Sequence, residues 1–125
     1  MNAAIPNSAF PNGIVAPFWE DLKPVSGAVL RYKTFGSAPN RYLVVEWNGA
    51  AVYLDFDHPV TFQAILYEGT NDIKFQYLSM VHNQYGDGSS ASVGIEDDKG
   101  RIGLSYSYNR PSIRDGHAVY FLYPR

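Results

Sequence analysis

VTFQAILYEGTNDIKFQYL, residues 60–78, reads as two strands joined by a tight turn. Phe62, Ala64 and Leu66 alternate with Thr61, Gln63 and Ile65. Past Glu68-Gly69-Thr70-Asn71-Asp72 the alternation resumes as Ile73, Phe75 and Tyr77 against Lys74 and Gln76. Alternation on both sides of a Gly/Asn/Asp cluster predicts a β-hairpin with one buried and one wetter face, at the centre of a sheet.

The flanking sequence extends the pattern. Residues 28–35 (AVLRYKTF) and 41–48 (RYLVVEWN) read as strands around the turn Gly36-Ser37-Ala38-Pro39-Asn40. The second is apolar on both faces, with Leu43, Val45 and Trp47 on one and Tyr42 and Val44 on the other, which predicts a central strand. Residues 49–59 read as a connection holding one short piece, Ala51-Val52-Tyr53-Leu54. Downstream, residues 79–89 form a polar loop. Residues 90–96 and 102–108 then alternate around Asp97-Asp98-Lys99-Gly100, a second tight turn with Gly100 placed for a positive φ. Residues 117–123 (HAVYFLY) make the last strand. Upstream, residues 14–19 are apolar but broken by Pro17, as in an edge strand or a buried crossing segment. Residues 2–13, with two Pro, three Asn and one Gly, read as a loop or extended arm. No apolar stripe of helical period runs for three turns. The expected fold is all-β: an antiparallel β-sandwich of about seven or eight strands, jelly-roll-like or a meander, without substantial helix. Residues 1–125 are expected to form a single domain, excised from a longer secreted protein.

Composition bounds the function. At 46% hydrophobic and 18% charged the chain is a folded globule. Aromatics reach 15%, which favours pleated, half-buried surfaces. A formal net charge of −2 lacks the electrostatic footprint of a nucleic-acid binder, so no nucleic-acid partner is expected. No apolar run approaches the roughly 18 residues of a spanning helix, so no membrane insertion is expected either. With no Cys, neither disulfides nor thiolate metal sites enter. MNAAIPNSAF has no basic start and no long apolar stretch, and does not read as a signal peptide.

Several phrases occur together and in order: Ile5-Pro6; Pro11-Asn12-Gly13 running on through Ala16-Pro17-Phe18-Trp19-Glu20-Asp21-Leu22; residues 34–41 (TFGSAPNR); Val44-Val45-Glu46-Trp47; the hairpin itself; Ser92-Val93-Gly94-Ile95-Glu96; and residues 103–109 (GLSYSYN). Over most of its length the chain resembles an accessory β-sandwich module of bacterial extracellular proteins. Such modules stand beside or after the catalytic domains of secreted peptidases and in multi-domain surface proteins. The Ala-Pro-Phe-Trp phrase also resembles nidogen-like extracellular domains. The resemblance implies an extracellular or cell-surface, non-catalytic role. Members usually carry further strands ahead of the Ile5-Pro6 region, so an edge strand is expected to be missing, supplied by another copy or replaced by residues 2–13, and residues 48–59 are particular to this chain.

Candidate chemistry is sparse. Asp55 and Asp57, two apart on an extended segment, point to one side and could hold a hard cation such as Ca2+, against the plainer reading of a solvated connection. No other cofactor is indicated. Residues 83–94 depart from an EF-hand loop, with Tyr85 and Gly94 where oxygen ligands belong. His58, His82 and His117 have no metal-ligand spacing, and no Ser sits in a nucleophile elbow. Glu46, Glu68 and Glu96 would have to face each other across a cleft to serve a glycosidase. Exposed aromatics are the better lead: Tyr42, Tyr53, Tyr85, Tyr106 and Tyr108 could stack on sugar rings, against the alternative of cross-strand pairing inside the sandwich. The expected role is a non-catalytic module for adhesion, tethering or positioning through carbohydrate or protein contacts. The alternatives are a glycan-acting hydrolase and a homo-oligomer pairing through an open sheet edge.

Overall fold

The computed structural model describes residues 1–125 as nine strands and no helix. In chain order they are β1 (Val15–Trp19), β2 (Leu22–Lys23), β3 (Val29–Phe35), β4 (Tyr42–Val52), β5 (Asp55–Tyr67), β6 (Ile73–Ser79), β7 (Ser92–Glu96), β8 (Gly103–Tyr108) and β9 (Ala118–Phe121). They form two antiparallel sheets. A six-stranded sheet has the order β2-β4-β5-β6-β9, with β3 also on β4; a three-stranded sheet has the order β1-β7-β8. The architecture is a sandwich built on the meander β3-β4-β5-β6. Strand β1 pairs with β7 alone, an edge position that accommodates Pro17 at a bulge between Ala16 and Trp19.

The hairpin of residues 60–78 is the middle of the large sheet. Its turn closes with the Tyr67 amide donating to the Asp72 carbonyl at 3.1 Å, which sets Gln63 opposite Gln76 and Ala64 opposite Phe75. Its inward residues Phe62, Ala64, Phe75 and Tyr77 are buried against Phe18 of β1 and Val93 of β7. Trp47 of β4 stacks on Phe62 at 5.1 Å between centroids, and Phe18 meets the same ring at 5.5 Å. Val52 of β4, Val60 of β5, Met80, Ala91 and Ile113 from the loops and Phe121 from β9 complete the core.

Residues 49–59 differ from the expected connection. β4 runs on to Val52 and β5 starts at Asp55, so only Tyr53 and Leu54 turn the chain. Leu54 takes φ +76°, a conformation for which Gly or Asn is the usual signal, and bulges lie on either side of Ala50. A long hairpin without Gly at its turn does not announce itself in sequence.

Residues 2–13 contain no strand and lie across the outer face of the small sheet. Ile5 is buried there, 5% exposed. The Asn2 side chain donates to Ser92 Oγ at 2.9 Å, the Ser92 hydroxyl donates to the Ala3 carbonyl, and the Asn7 amide donates to Glu96 Oε2 at 2.9 Å. Glycines make room for this arm: a Cβ on Gly94 would meet Ile5 Cγ2 at 3.3 Å, and one on Gly103 would meet Pro6 Cβ at 3.1 Å. The arm thus covers a face of the sandwich and extends neither sheet. The small sheet leaves the β3 side of the large sheet uncovered on its inner face. There Leu30 is 67% and Tyr32 79% exposed. No helix is long and apolar enough to cross a membrane.

Candidate functional site

The side chains turned away from the core across the middle of the large sheet are polar and mutually bonded. Register places Arg31 of β3 opposite Glu46 of β4, Glu46 opposite Gln63 of β5, and Gln63 opposite Gln76 of β6. The ladder is continuous. Arg31 Nε donates to Glu46 Oε1 at 2.8 Å, Gln63 Nε2 donates to Glu46 Oε2 at 2.5 Å, and Gln76 Nε2 donates to Gln63 Oε1 at 2.5 Å. Asn48 Nδ2 adds a longer bond to Glu46 Oε1 at 3.3 Å. The Glu46 side chain is only 13% exposed, that of Arg31 65%. Burial works to raise the Glu46 pKa, but the hydrogen bonds from Gln63, Asn48 and Arg31, with the Arg31 charge, outweigh it and hold the carboxyl below its ordinary value.

Two shallow grooves open on this face and share Glu46 and Gln63. One, about 400 Å3, continues past Gln76 to Lys74, His117 and Ala118. The other, about 310 Å3, continues to Arg31, Lys33 and Phe35. Together they form a trough across the sheet from β3 to β9. With strands about 4.8 Å apart and four gaps to cross, it runs for about 19 Å. Aromatic rings flank it. Phe35 stacks on Tyr42 at 5.4 Å and Tyr42 meets Tyr67 at 5.9 Å, one ring from each of β3, β4 and β5. A different, apolar cleft of about 470 Å3 lies at one end of the sandwich, lined by Ile14, Ile73, Ile95 and Leu104 beside Glu96.

Of the tyrosines and aspartates singled out in the sequence, Tyr42 flanks the trough and the others lie elsewhere. Tyr53 is exposed in the β4–β5 turn, edge-on to Phe56 at 6.0 Å and with Lys23 Nζ 5.5 Å from its ring. Tyr85, in the 80–91 loop, packs half-buried against the core. Tyr106 and Tyr108 are exposed on β8 of the small sheet. No two of these four tyrosines stack on each other. Asp55 accepts from Asn83 Nδ2 at 3.0 Å and lies 2.6 Å from His58 Nδ1. Asn83 and His58 hold its carboxyl below its ordinary range, and Asp55 in turn raises the His58 pKa. Asp57 is exposed beside it, and the structure assembles no group of three or more His, Asp or Glu suited to a metal ion.

The three glutamates of the hydrolase alternative are separate. Glu46 lies in the ladder. Glu68, at the hairpin turn, is held by Arg41 through Nε at 2.8 Å and through its second terminal nitrogen at 2.5 Å. Glu96 ends β7 on the other sheet and receives the arm. Of the ladder, the sequence alone points to Glu46, and for a different chemistry. The signal for the rest was present: Arg31, Glu46, Gln63 and Gln76 all occupy outward positions of adjoining strands. Counting back from the Tyr67–Asp72 turn brings Gln63 and Gln76 into one row.

No curated protein and no solved structure matches the chain. The family described as NIDO related matches residues 1–120, nearly the whole sandwich from the arm through β8 and into β9. The chain therefore belongs to the nidogen-related family.

Proposed function

We propose that this chain is a non-catalytic extracellular binding module whose ligand face is the trough on the large sheet, where it holds a carbohydrate chain and so tethers or positions a larger secreted or surface protein. Membership of a nidogen-related family supports the extracellular setting and a non-enzymatic role. The observation that carries the ligand reading is the Arg31–Glu46–Gln63–Gln76 ladder. Amides and a carboxylate locked by one another present donors and acceptors in fixed directions, as recognition of ring hydroxyls requires, and losing little side-chain freedom on binding favours affinity. The Phe35–Tyr42–Tyr67 row offers flat apolar surface beside them.

Hydrolysis is the weaker reading. A general acid needs a raised pKa and a second carboxyl facing it, whereas Glu46 is held low and its oxygens are occupied by Arg31, Asn48 and Gln63. The test is a glycan array with the full chain, followed by calorimetry on any hit. Binding that falls at least tenfold in Gln63→Ala and Gln76→Ala, with unchanged melting temperature, supports the trough. Absence of binding to every glycan removes the carbohydrate reading and leaves a protein contact.

One observation favours self-association as a second reading. Strand β3 pairs on one side only and exposes Leu30 and Tyr32 toward the uncovered inner face. Light scattering at rising concentration tests it: a dimer that Leu30→Lys dissociates supports pairing there, and a monomer throughout rejects it.

A further inference from the structure

Lys33 and Lys74 flank the trough without carboxylate partners: neither takes part in any of the ion pairs of the structure. Register ties both lysines to one row of the outer face, Lys33 beside Val44 and Lys74 beside Ile65. Each is held over an aromatic ring. Lys33 Nζ lies 5.1 Å from the Phe35 centroid, and Lys74 Nζ lies 5.2 Å from that of Tyr120. A ring face attracts the ammonium without neutralising it, so each cation is positioned and remains available. Among the residues that line the two grooves, the one carboxylate, Glu46, is already matched by Arg31. The trough is thus bordered by net positive charge on a chain whose formal net charge is −2. Such local reversal steers and retains an anion.

Resting on the carbohydrate reading above, we propose that the ligand is an acidic polysaccharide, a polyuronate whose ring carboxylates meet Lys33 and Lys74 while its hydroxyls bond to the Gln63–Gln76 ladder. A linear chain crossing the sheet for about 19 Å passes both lysines, since β3 and β6 are three strand gaps apart. The two cations then select carboxylated over neutral glycans, and the ladder selects a sugar over other polyanions.

The experiment is calorimetry of the full chain with oligogalacturonides in EDTA at low and moderate salt. Carboxyl-reduced oligogalactosides and polyglutamate serve as comparison ligands. Expected are binding to the oligogalacturonides that weakens with salt, at least tenfold weaker binding to the reduced form, and weak or no binding to polyglutamate. In Lys33→Gln/Lys74→Gln the affinity for oligogalacturonide falls at least tenfold with the melting temperature unchanged, and Lys33→Arg/Lys74→Arg restores it. Binding of the neutral form as tightly as the acidic one overturns the inference and leaves the carbohydrate reading intact. Equal binding of polyglutamate overturns it in favour of general polyanion attraction. Undiminished binding in the Gln double variant places the ligand elsewhere. Failure of every glycan overturns both readings.

Discussion

The hydroxyl of Tyr77, on β6, donates to the carbonyl of Pro17, on β1, across the interior of the sandwich at 2.6 Å. Pro17 lies in the bulge where the β1–β7 pairing breaks step, so its carbonyl finds a side chain instead of a strand partner. Burial pushes the Tyr77 phenol far above its ordinary pKa, Tyr106 adding to the effect, so it remains a donor throughout the working range of pH. Removing that hydroxyl in Tyr77→Phe leaves a carbonyl unsatisfied at the join of the two sheets. The expected loss is about 1–2 kcal/mol of unfolding free energy. Urea denaturation checks it: a loss near zero would mean that water replaces the phenol at Pro17.

Arg41 and Glu68 tie the β3–β4 turn to the β5–β6 turn. The hydrogen bonds from Arg41 lower the Glu68 pKa from its ordinary 4.5 to about 2. A depressed carboxylate stabilises the fold above its unfolded pKa, and this contribution is lost as pH falls through the folded value. The melting-temperature difference between wild type and Glu68→Gln is therefore expected at neutral pH, to shrink below pH 4.5 and to vanish near pH 2. A difference that stays constant down to about pH 2 would assign the effect to packing instead.

Leu54 occupies a position that wants another residue. Its φ of +76° in a two-residue turn costs about 1 kcal/mol in an exposed leucine that returns little by burial. Leu54→Asn is expected to raise stability by about 0.5–1 kcal/mol, read as a higher denaturation midpoint with an unchanged slope. A lower midpoint would mean that the leucine packs better than its exposure indicates.

Ile5 anchors the arm over Gly94 of the small sheet. Ile5→Ala is expected to cost about 2 kcal/mol. It should also make residues 2–13 susceptible to brief proteolysis while the sandwich resists. An arm as resistant as in wild type would place the anchor in the Asn2 and Asn7 hydrogen bonds.

The central hairpin was readable because alternation and turn chemistry agree there: Gly69, Asn71 and Asp72 mark the turn that the strands require. The β4–β5 hairpin was not, because Leu54 does by strain what Gly or Asn does elsewhere. In β8 alternation is a poor guide to burial. Ser107 is buried and receives a bond from the Ser112 hydroxyl at 2.6 Å, while Leu104, Tyr106 and Tyr108 stay exposed on an edge strand. The aromatic residues drew attention as candidate contacts because Tyr suits stacking wherever it lies. The polar trough depends on which outward residues of four strands share a row, and that follows only once three turns have fixed the pairing.

The Arg31–Glu46–Gln63–Gln76 row has a consequence before any ligand arrives. If β4 slipped by one residue against its neighbours, Glu46 would swing to the inner side, into the layer of Phe62 and Trp47. A carboxylate stranded there without Arg31 costs several kcal/mol, so misaligned sheets are penalised while they form. The row that meets the outside world is thus also a proofreader of folding. Exchanging it for apolar residues to alter what the face recognises would leave the nascent chain freer to assemble the wrong way.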